Sequence, residues 1–213
     1  MSGERKSART WGAAGGCQDI QRSDPRVVFY AMIRSALLLA LAFSLPASAH
    51  AEEKILFDFK KDGDTSGWMI EDDGVMGGLS KGRFQLNNEG HATFSGNVSL
   101  ENNGGFSSVQ WNFDPIDVSP YSTFVVRLRG DGKRYLLLTE AVPGDRHYYQ
   151  AEFQTSTDWQ TLEIPFKDMT PHFRGDRLDK PNFPGKTMTQ VRFLIGNKKA
   201  ESFNLEIDEV RLR

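Results

Sequence analysis

The sequence predicts an all-β protein built as an antiparallel β-sandwich or jelly roll, and three observations lead to this prediction. Apolar and polar residues alternate in many short segments, which is the pattern of strands that bury one face. These segments are rich in β-branched and aromatic residues and are bounded by Gly, Pro, Asn or Asp, as the short strands of sandwiches are. No segment shows the 3.6-residue period of a long amphipathic helix.

Nine segments carry the alternating pattern and are predicted to be strands. In chain order they are KILFDF (54–59), HATFSGNVSL (91–100), FSSVQWNF (106–113), TFVVRLRG (123–130), RYLLLTEA (134–141), YYQAEFQT (148–155), WQTLEIPF (159–166), QVRFLIGN (190–197) and FNLEIDEVRL (203–212). Alternation in the last segment predicts four side chains that face the core, namely Phe203, Leu205, Ile207 and Val210. A slip in this alternation at Asp208-Glu209 predicts a β-bulge or a strand end.

Three stretches between these segments contain residues that favour chain reversal. Residues 101–106, 130–134 and 142–148 are rich in Gly, Asn, Pro or Asp. Such residues adopt turn conformations at low cost. We therefore expect each stretch to form a hairpin loop.

The first 51 residues do not share the strand pattern and are expected to lie outside the fold. Residues 1–31 are interpreted as an upstream extension before the true start at Met32. Residues 32–51 combine Arg34, a short apolar run and Ala-x-Ala frames, which are the parts of a secretory signal peptide. The run is shorter than the about 20 residues that cross a bilayer. The sequence thus predicts one domain over residues 52–213.

This leader predicts the compartment of the protein. In a bacterial source the mature chain is expected to be periplasmic or secreted, with no membrane span after signal cleavage. A mitochondrial presequence and a retained signal anchor are the alternatives.

Charge and cysteine content exclude several classes of protein. The formal net charge is −2, and the basic runs Lys60-Lys61 and Lys198-Lys199 are only pairs, so nucleic acid is not expected as a partner. Cys17 is the single cysteine and lies in the leader. The predicted domain therefore has neither a disulfide nor a thiolate metal site.

Known catalytic motifs are absent from the sequence. It contains no G-x-S-x-G, H-E-x-x-H, C-x-x-C or P-loop motif, and His91, His147 and His172 are far apart. A non-enzymatic protein is the expectation. The enzymatic alternative is a carboxylate-dependent hydrolase that uses Asp72 or Asp73 with a histidine.

The stretch EDDGVMGGLSKGRF (71–84) is the first candidate binding loop. Its glycines permit backbone conformations closed to other residues, and its methionine can act as a flexible apolar contact. Asp72, Asp73, Met76, Gly77 and Gly78 are the candidate binding residues.

A second loop, PHFRGDR (171–177), supplies a basic partner for those acids. Arg174 is predicted to pair with Asp72 or Asp73 at one end of the sandwich, with Met76 beneath the pair, because a guanidinium fork suits a carboxylate. Two independent surface loops are the alternative.

Exposed aromatic residues are candidate glycan contacts, since sugar rings stack on flat rings. Trp68, Trp111 and Trp159 lie in or beside strand segments and are expected in the core. Tyr148 and Tyr149 are adjacent, so at most one can face the core from a strand, and Tyr149 is the candidate contact.

A structural calcium ion is the candidate cofactor. Asp62, Asp64 and Ser66 alternate as in a calcium loop, but the bidentate Glu and central Gly of that loop are missing. Asp208 is a further candidate ligand from the last strand. An ordinary turn and an exposed strand end are the alternative.

Several motifs occur together in an order that resembles one family. They are FDF (57–59), DDGVMGGLS (72–80), SLENNGGF (99–106), RGDG (129–132), PHFRG (171–175) and LEID (205–208). In this combination the chain resembles the complex I intermediate-associated protein 30 family. The resemblance implies a galactose-binding-domain-like β-sandwich. It also implies a non-catalytic role, because mitochondrial members are assembly factors of NADH:ubiquinone oxidoreductase.

The expected function is therefore that of a binding or assembly module without catalytic activity. Its partner is expected to be an envelope or secreted protein. A carbohydrate-binding module, with a glycan as ligand, and the carboxylate-dependent hydrolase are the alternatives.

Overall fold

The computed structural model describes residues 53–213, apart from the side chain of Met76. Thirteen strands make up most of this part: β1 (Lys54–Asp58), β2 (Trp68–Asp72), β3 (Lys81–Leu86), β4 (Ala92–Val98), β5 (Ser107–Asp117), β6 (Thr123–Arg129), β7 (Arg134–Glu140), β8 (Tyr148–Gln154), β9 (Gln160–Pro165), β10 (Thr170–Phe173), β11 (Asp176–Arg177), β12 (Thr187–Ile195) and β13 (Glu201–Leu212). A one-turn helix, α1 (Phe59–Asp62), follows β1, and 3₁₀ turns lie at Asp73–Met76, Glu101–Asn103 and Phe166–Asp168. The predicted extension (1–31), signal peptide (32–51) and Cys17 lie outside the described residues.

The strands form two antiparallel sheets. The six-stranded sheet has the order β3-β4-β13-β6-β9, with β1 also paired to β13, and the seven-stranded sheet has the order β11-β10-β8-β7-β12-β5-β2. The predicted antiparallel sandwich is confirmed. Within the described residues, no helix is long and apolar enough to cross a membrane.

The core lies between the two sheets and is made of alternate residues from both. Its fully buried members include Phe94 and Leu205 from one sheet and Leu137 and Phe193 from the other. The four core positions predicted in the last segment are all buried. Pairing of β13 with β6 shifts register between Ile207 and Glu209, so the predicted bulge is present.

Two of the three predicted hairpins are wrong. Residues 101–106 connect β4 to β5, and residues 130–134 connect β6 to β7, and each connection joins strands of different sheets. Only residues 142–148 close a hairpin, between the paired strands β7 and β8. Turn residues reverse the chain in both situations, so composition does not distinguish a hairpin from a crossing between sheets.

The three tryptophans of this domain occupy different environments. Trp68 is buried, and Trp111 is half-buried with its ring 4.0 Å from that of Phe57. Trp159 is also half-buried, but it does not belong to the hydrophobic core. The expectation that Trp159 packs in the core is therefore wrong.

Trp159 lies instead against charged side chains of the six-stranded sheet. The guanidinium carbons of Arg127 and Arg129 are 5.0 and 4.9 Å from the centre of its ring, and the His91 ring centre is 4.5 Å away. Cations at this distance are attracted to the face of an indole ring. Trp159 therefore packs against charged side chains rather than in the apolar core.

Candidate functional site

The glycine-rich candidate loop connects β2 to β3. It begins with the 3₁₀ turn Asp73–Met76, which Gly77 ends with a φ of +86°, a conformation that favours glycine. The backbone N–H of Gly78 donates to the carbonyl of Asp73 at 3.2 Å. The loop is thus held in part by its own backbone.

Asp73 is the central side chain of this loop, and its residue is only 3% exposed. Its carboxylate accepts hydrogen bonds from the Ser80 backbone N–H at 3.1 Å and from the Ser80 hydroxyl at 2.5 Å. It also accepts from the backbone N–H groups of Gly105 at 2.6 Å and Phe106 at 3.3 Å. One carboxylate therefore joins the β2–β3 loop to the β4–β5 connection.

Burial of Asp73 acts to raise its pKa, but the hydrogen bonds from Ser80, Gly105 and Phe106 outweigh burial and lower the pKa below its ordinary value. These donors all stabilise the ionised form. Asp73 is therefore a poor general acid, and its lone pairs are already occupied.

Two glycines are required by the close approach to Asp73. A Cβ atom at Gly78 would lie 2.3 Å from Asp73 Oδ1, and one at Gly104 would lie 2.6 Å from Asp73 Oδ2. Any larger residue would displace the carboxylate. This packing explains why glycine stands at position 78 in the β2–β3 loop and at position 104 in the β4–β5 connection.

Asp72 has a similar structural role one residue earlier. It accepts from the backbone N–H of Gly82 at 2.9 Å and from the Ser107 hydroxyl at 2.5 Å. These contacts join the end of β2 to the starts of β3 and β5.

The described structure does not assemble the Asp-His pair that the hydrolase alternative needs. His91 Nδ1 lies 2.8 Å from Asp208, His147 Nδ1 lies 3.1 Å from Asp145, and His172 Nε2 lies 3.0 Å from Thr170. None of these partners is Asp72 or Asp73.

The predicted ion pair between Arg174 and Asp72 or Asp73 is wrong. Arg174 lies in the hairpin between β10 and β11, at one edge of the seven-stranded sheet, whereas β2 forms the opposite edge. Its guanidinium carbon is instead 5.3 Å from the Phe173 ring centre. The β10–β11 loop joins two strands of the seven-stranded sheet, whereas the β2–β3 loop connects this sheet to the other one, and sequence could not give the order of the strands. The predicted contact of Met76 concerns a side chain outside the described structure.

Tyr149 is not available as a surface contact, because it is only 8% exposed and packs against Phe183. Its neighbour Tyr148 is the partly exposed member of the pair. The Tyr148 ring lies nearly parallel to that of His172, and its hydroxyl accepts from the Gly175 N–H at 3.1 Å. The alternation predicted for this strand is correct, but Tyr148 and not Tyr149 is the exposed residue.

The candidate calcium ligands do not converge in the described structure. Asp208 forms an ion pair with Arg127 and a hydrogen bond with His91, which use both of its oxygens. Asp64 caps a turn by accepting from the Ser66 N–H at 2.8 Å, and Asp62 is exposed at the end of α1. Among residues 53–213, no three His, Cys, Asp or Glu side chains are grouped to hold a metal ion.

Sequence reasoning missed three exposed apolar side chains on the two loops at this end of the sandwich. Val75, Leu79 and Leu100 are 96%, 50% and 46% exposed, and we call these three residues the loop-end patch. Leu79 and Leu100 adjoin Ser80 and Ser99, which are joined by a 3.0 Å hydrogen bond. The signal was present in the sequence as isolated apolar residues among glycines and polar residues, but exposure could not be read from it.

Comparison with known proteins identifies relatives of this sequence. The family model described as complex I intermediate-associated protein 30 matches residues 57–207. A curated relative, the mitochondrial complex I intermediate-associated protein 30 of Drosophila melanogaster, is 26% identical over 186 residues. The match covers 76% of this chain and 63% of the relative, so this chain spans less than two thirds of the relative's length.

Solved structures with a similar fold include carbohydrate-binding modules. A family 11 module of Clostridium thermocellum, solved with a β-1,3-1,4-mixed-linked tetrasaccharide, has a TM-score of 0.53 and 16% identity, covering 75% of this chain and 94% of the module. The family 11 module of the C. thermocellum cellulase Lic26A-Cel5E has a TM-score of 0.55 and 16% identity, covering 76% and 94%. An agarase matches with a TM-score of 0.51 and 12% identity over 76% of this chain and 24% of its own. At these identities the likeness shows the fold alone.

Proposed function

The chain belongs to the complex I intermediate-associated protein 30 family, and from this premise we propose that it is a non-catalytic module that binds a protein during assembly of a larger complex. The name of the Drosophila relative points to an intermediate of complex I as the partner. The role of the candidate acids supports a module without catalysis, because Asp72 and Asp73 bind the protein's own backbone and hydroxyl groups.

The loop-end patch is the observation that carries this proposal. Exposed apolar side chains are ordinary when scattered, but a group of them on fixed loops is typical of a protein contact surface. Asp73 fixes both loops of the patch through Ser80 and Gly105, so little loop ordering is needed on binding. The patch therefore offers a preformed apolar surface to a partner.

A complementation experiment tests this function. Complex I would be resolved on native gels from cells of the source organism that lack this protein and from cells supplied with variants. We expect the double variant Val75→Asp with Leu79→Asp to accumulate assembly intermediates in place of mature complex I. Its two carboxylates would lose solvation in the contact with the partner. Val142→Asp is the matched control, since Val142 is 56% exposed in the β7–β8 hairpin.

The outcomes separate two parts of the proposal. Normal complex I in cells that lack the protein would refute the role in complex I. Restoration by the patch variant as complete as by the control would refute the role of the patch. Thermal melts of both purified variants would establish that each is folded.

The compartment is a further part of the proposal. Residues 32–51 support export to the periplasm or beyond, whereas the Drosophila relative is named as mitochondrial. N-terminal sequencing of the native protein tests export, with a start near His50 or Glu52 as the expected result. An intact Met1 on a cytoplasmic protein would overturn it.

A further inference from the structure

The outer face of the seven-stranded sheet carries a group of polar side chains that the proposed function does not use. Core residues Val109, Val191 and Leu137 point inward from β5, β12 and β7, so their immediate neighbours point outward. Strand pairing places these neighbours in two rows across the sheet. One row contains Gln110, Arg192 and Leu138, and the other contains Asn112, Gln190 and Glu140.

Three of these outward side chains each have one buried polar atom that lacks a partner among the described residues. Gln190 is only 3% exposed. Its amide nitrogen donates to Asn112 Oδ1 at 2.8 Å, but its Oε1 has no hydrogen-bond partner among the described residues. Gln110 Oε1 and Arg192 Nε are also buried and unpartnered there. Buried polar atoms are satisfied in most proteins, so three unsatisfied atoms on neighbouring residues mark a polar cluster that a ligand would satisfy once the side chains rotate outward, since the atoms are closed to solvent in the described structure.

The charges of this face favour an uncharged ligand. Arg192 already forms an ion pair with Glu71, with 3.1 Å between Nη2 and Oε2. Burial raises the pKa of Glu140, while Arg192 acts in the opposite direction. The unsatisfied groups are then two amide oxygens that need hydrogen-bond donors and one N–H that needs an acceptor.

A flat aromatic ring borders the same group. Tyr149 pairs with Thr139 and faces the core, so Tyr148 faces outward beside Glu140. Its ring is partly exposed and lies 6.4 Å from the parallel ring of His172. Flat rings of this kind offer a large apolar surface at little conformational cost.

We propose that this outer face, centred on Gln110, Gln190 and Arg192, binds a neutral glycan chain. A sugar hydroxyl donates to an amide oxygen and accepts from an N–H at once, which is what the unsatisfied atoms require. An extended peptide would pair with a sheet edge, but the edges are β11 and β2, and the site lies on strands that already have two partners. This glycan site is separate from the loop-end patch.

Isothermal titration calorimetry with defined sugars tests the site. Cellotetraose, laminaritetraose and maltotetraose would be titrated into the purified protein, with glucose and sorbitol as arms that separate chain recognition from binding of any polyol. We expect at least one tetrasaccharide to bind and glucose and sorbitol to bind at least tenfold more weakly, because only a chain spans several strands.

Three variants place the binding on this face. Gln110→Met and Gln190→Met remove unsatisfied amide oxygens, and Tyr148→Ala removes the ring. Each is expected to weaken tetrasaccharide binding at least tenfold. Gln85→Met is the matched control, because Gln85 is exposed on β3 of the other sheet, and it should bind as the unaltered protein does.

Stability measurements distinguish a lost contact from a lost fold. Replacing an unsatisfied amide by Met removes an unsatisfied acceptor, so Gln110→Met should melt at or above the temperature of the unaltered protein. The absence of binding by all three tetrasaccharides would overturn the proposal. Equal binding by the Gln110→Met, Gln190→Met and Gln85→Met variants, or equal binding of sorbitol and the tetrasaccharides, would also overturn it.

Discussion

The carboxylate of Asp73 accepts four hydrogen bonds from donors in two chain segments. Removal of the carboxylate would leave those buried or half-buried donors without a partner, and each unsatisfied group costs about 1–3 kcal/mol. The two loops that carry the loop-end patch depend on this one side chain for their relative position. Sequence identified Asp73 as important but assigned it to binding a partner, because an acid among glycines does not reveal whether it faces inward.

We expect Asp73→Ala to lower the free energy of unfolding by at least about 3 kcal/mol at pH 7. Urea denaturation measures this change, and Asp114→Ala is the control, since Asp114 is exposed on β5. A loss below about 1 kcal/mol would mean that water replaces the carboxylate without cost.

The stabilisation by Asp73 is expected to depend on pH. Its folded-state pKa is lowered from the ordinary 3.8, so the unfolded state binds the proton more readily. The contribution is full above the unfolded pKa and is lost as pH falls through the folded pKa. The stability difference between the unaltered protein and Asp73→Asn should therefore shrink as pH falls below about 4. A difference that grows on acidification would contradict this assignment.

At the scale of elements, the β2–β3 loop and the β4–β5 connection behave as one packed unit. Gly78 and Gly104 allow both segments to contact Asp73, and the Asn102 amide donates to the Gly77 carbonyl at 3.1 Å. Sequence showed the glycines but placed the connection in a hairpin. It also missed β2 and β3, because each has only a few apolar residues in alternation and both adjoin glycines.

We expect Gly78→Ala to destabilise the protein by about 1–3 kcal/mol, because the added methyl group would overlap the Asp73 side chain. Gly74→Ala is the matched control in the same loop, since a Cβ atom there meets nothing within 4 Å. Neither glycine has a positive φ, so the two changes differ in steric contact alone. In urea denaturation, Gly78→Ala should show the larger loss of stability and Gly74→Ala only a small change. Equal changes would contradict the packing described for Gly78.

At the scale of the whole molecule, alternation was enough to predict the sandwich and not the sheet order. The outward position of Trp159 could have been predicted from the alternation of its own segment. Leu162, Ile164 and Phe166 pack in or against the core, so odd-numbered positions of that segment face outward. The apolar character of Trp159 suggests the core, but its odd-numbered position predicts an outward-facing side chain. Arg174 could not have been placed in this way, because strand order depends on pairings between distant segments.

Strand β13 has a consequence for how the chain acquires its structure. It pairs with β4 through residues 201–207, with β6 through residues 206–212, and with β1 at its end. Because β13 is the last strand of the described chain, the middle of the six-stranded sheet is synthesised after every strand it must join. Its neighbours remain without a partner on that side until residues 201–212 have been synthesised. The six-stranded sheet therefore cannot close before that point, and the waiting edges need protection against aggregation until then.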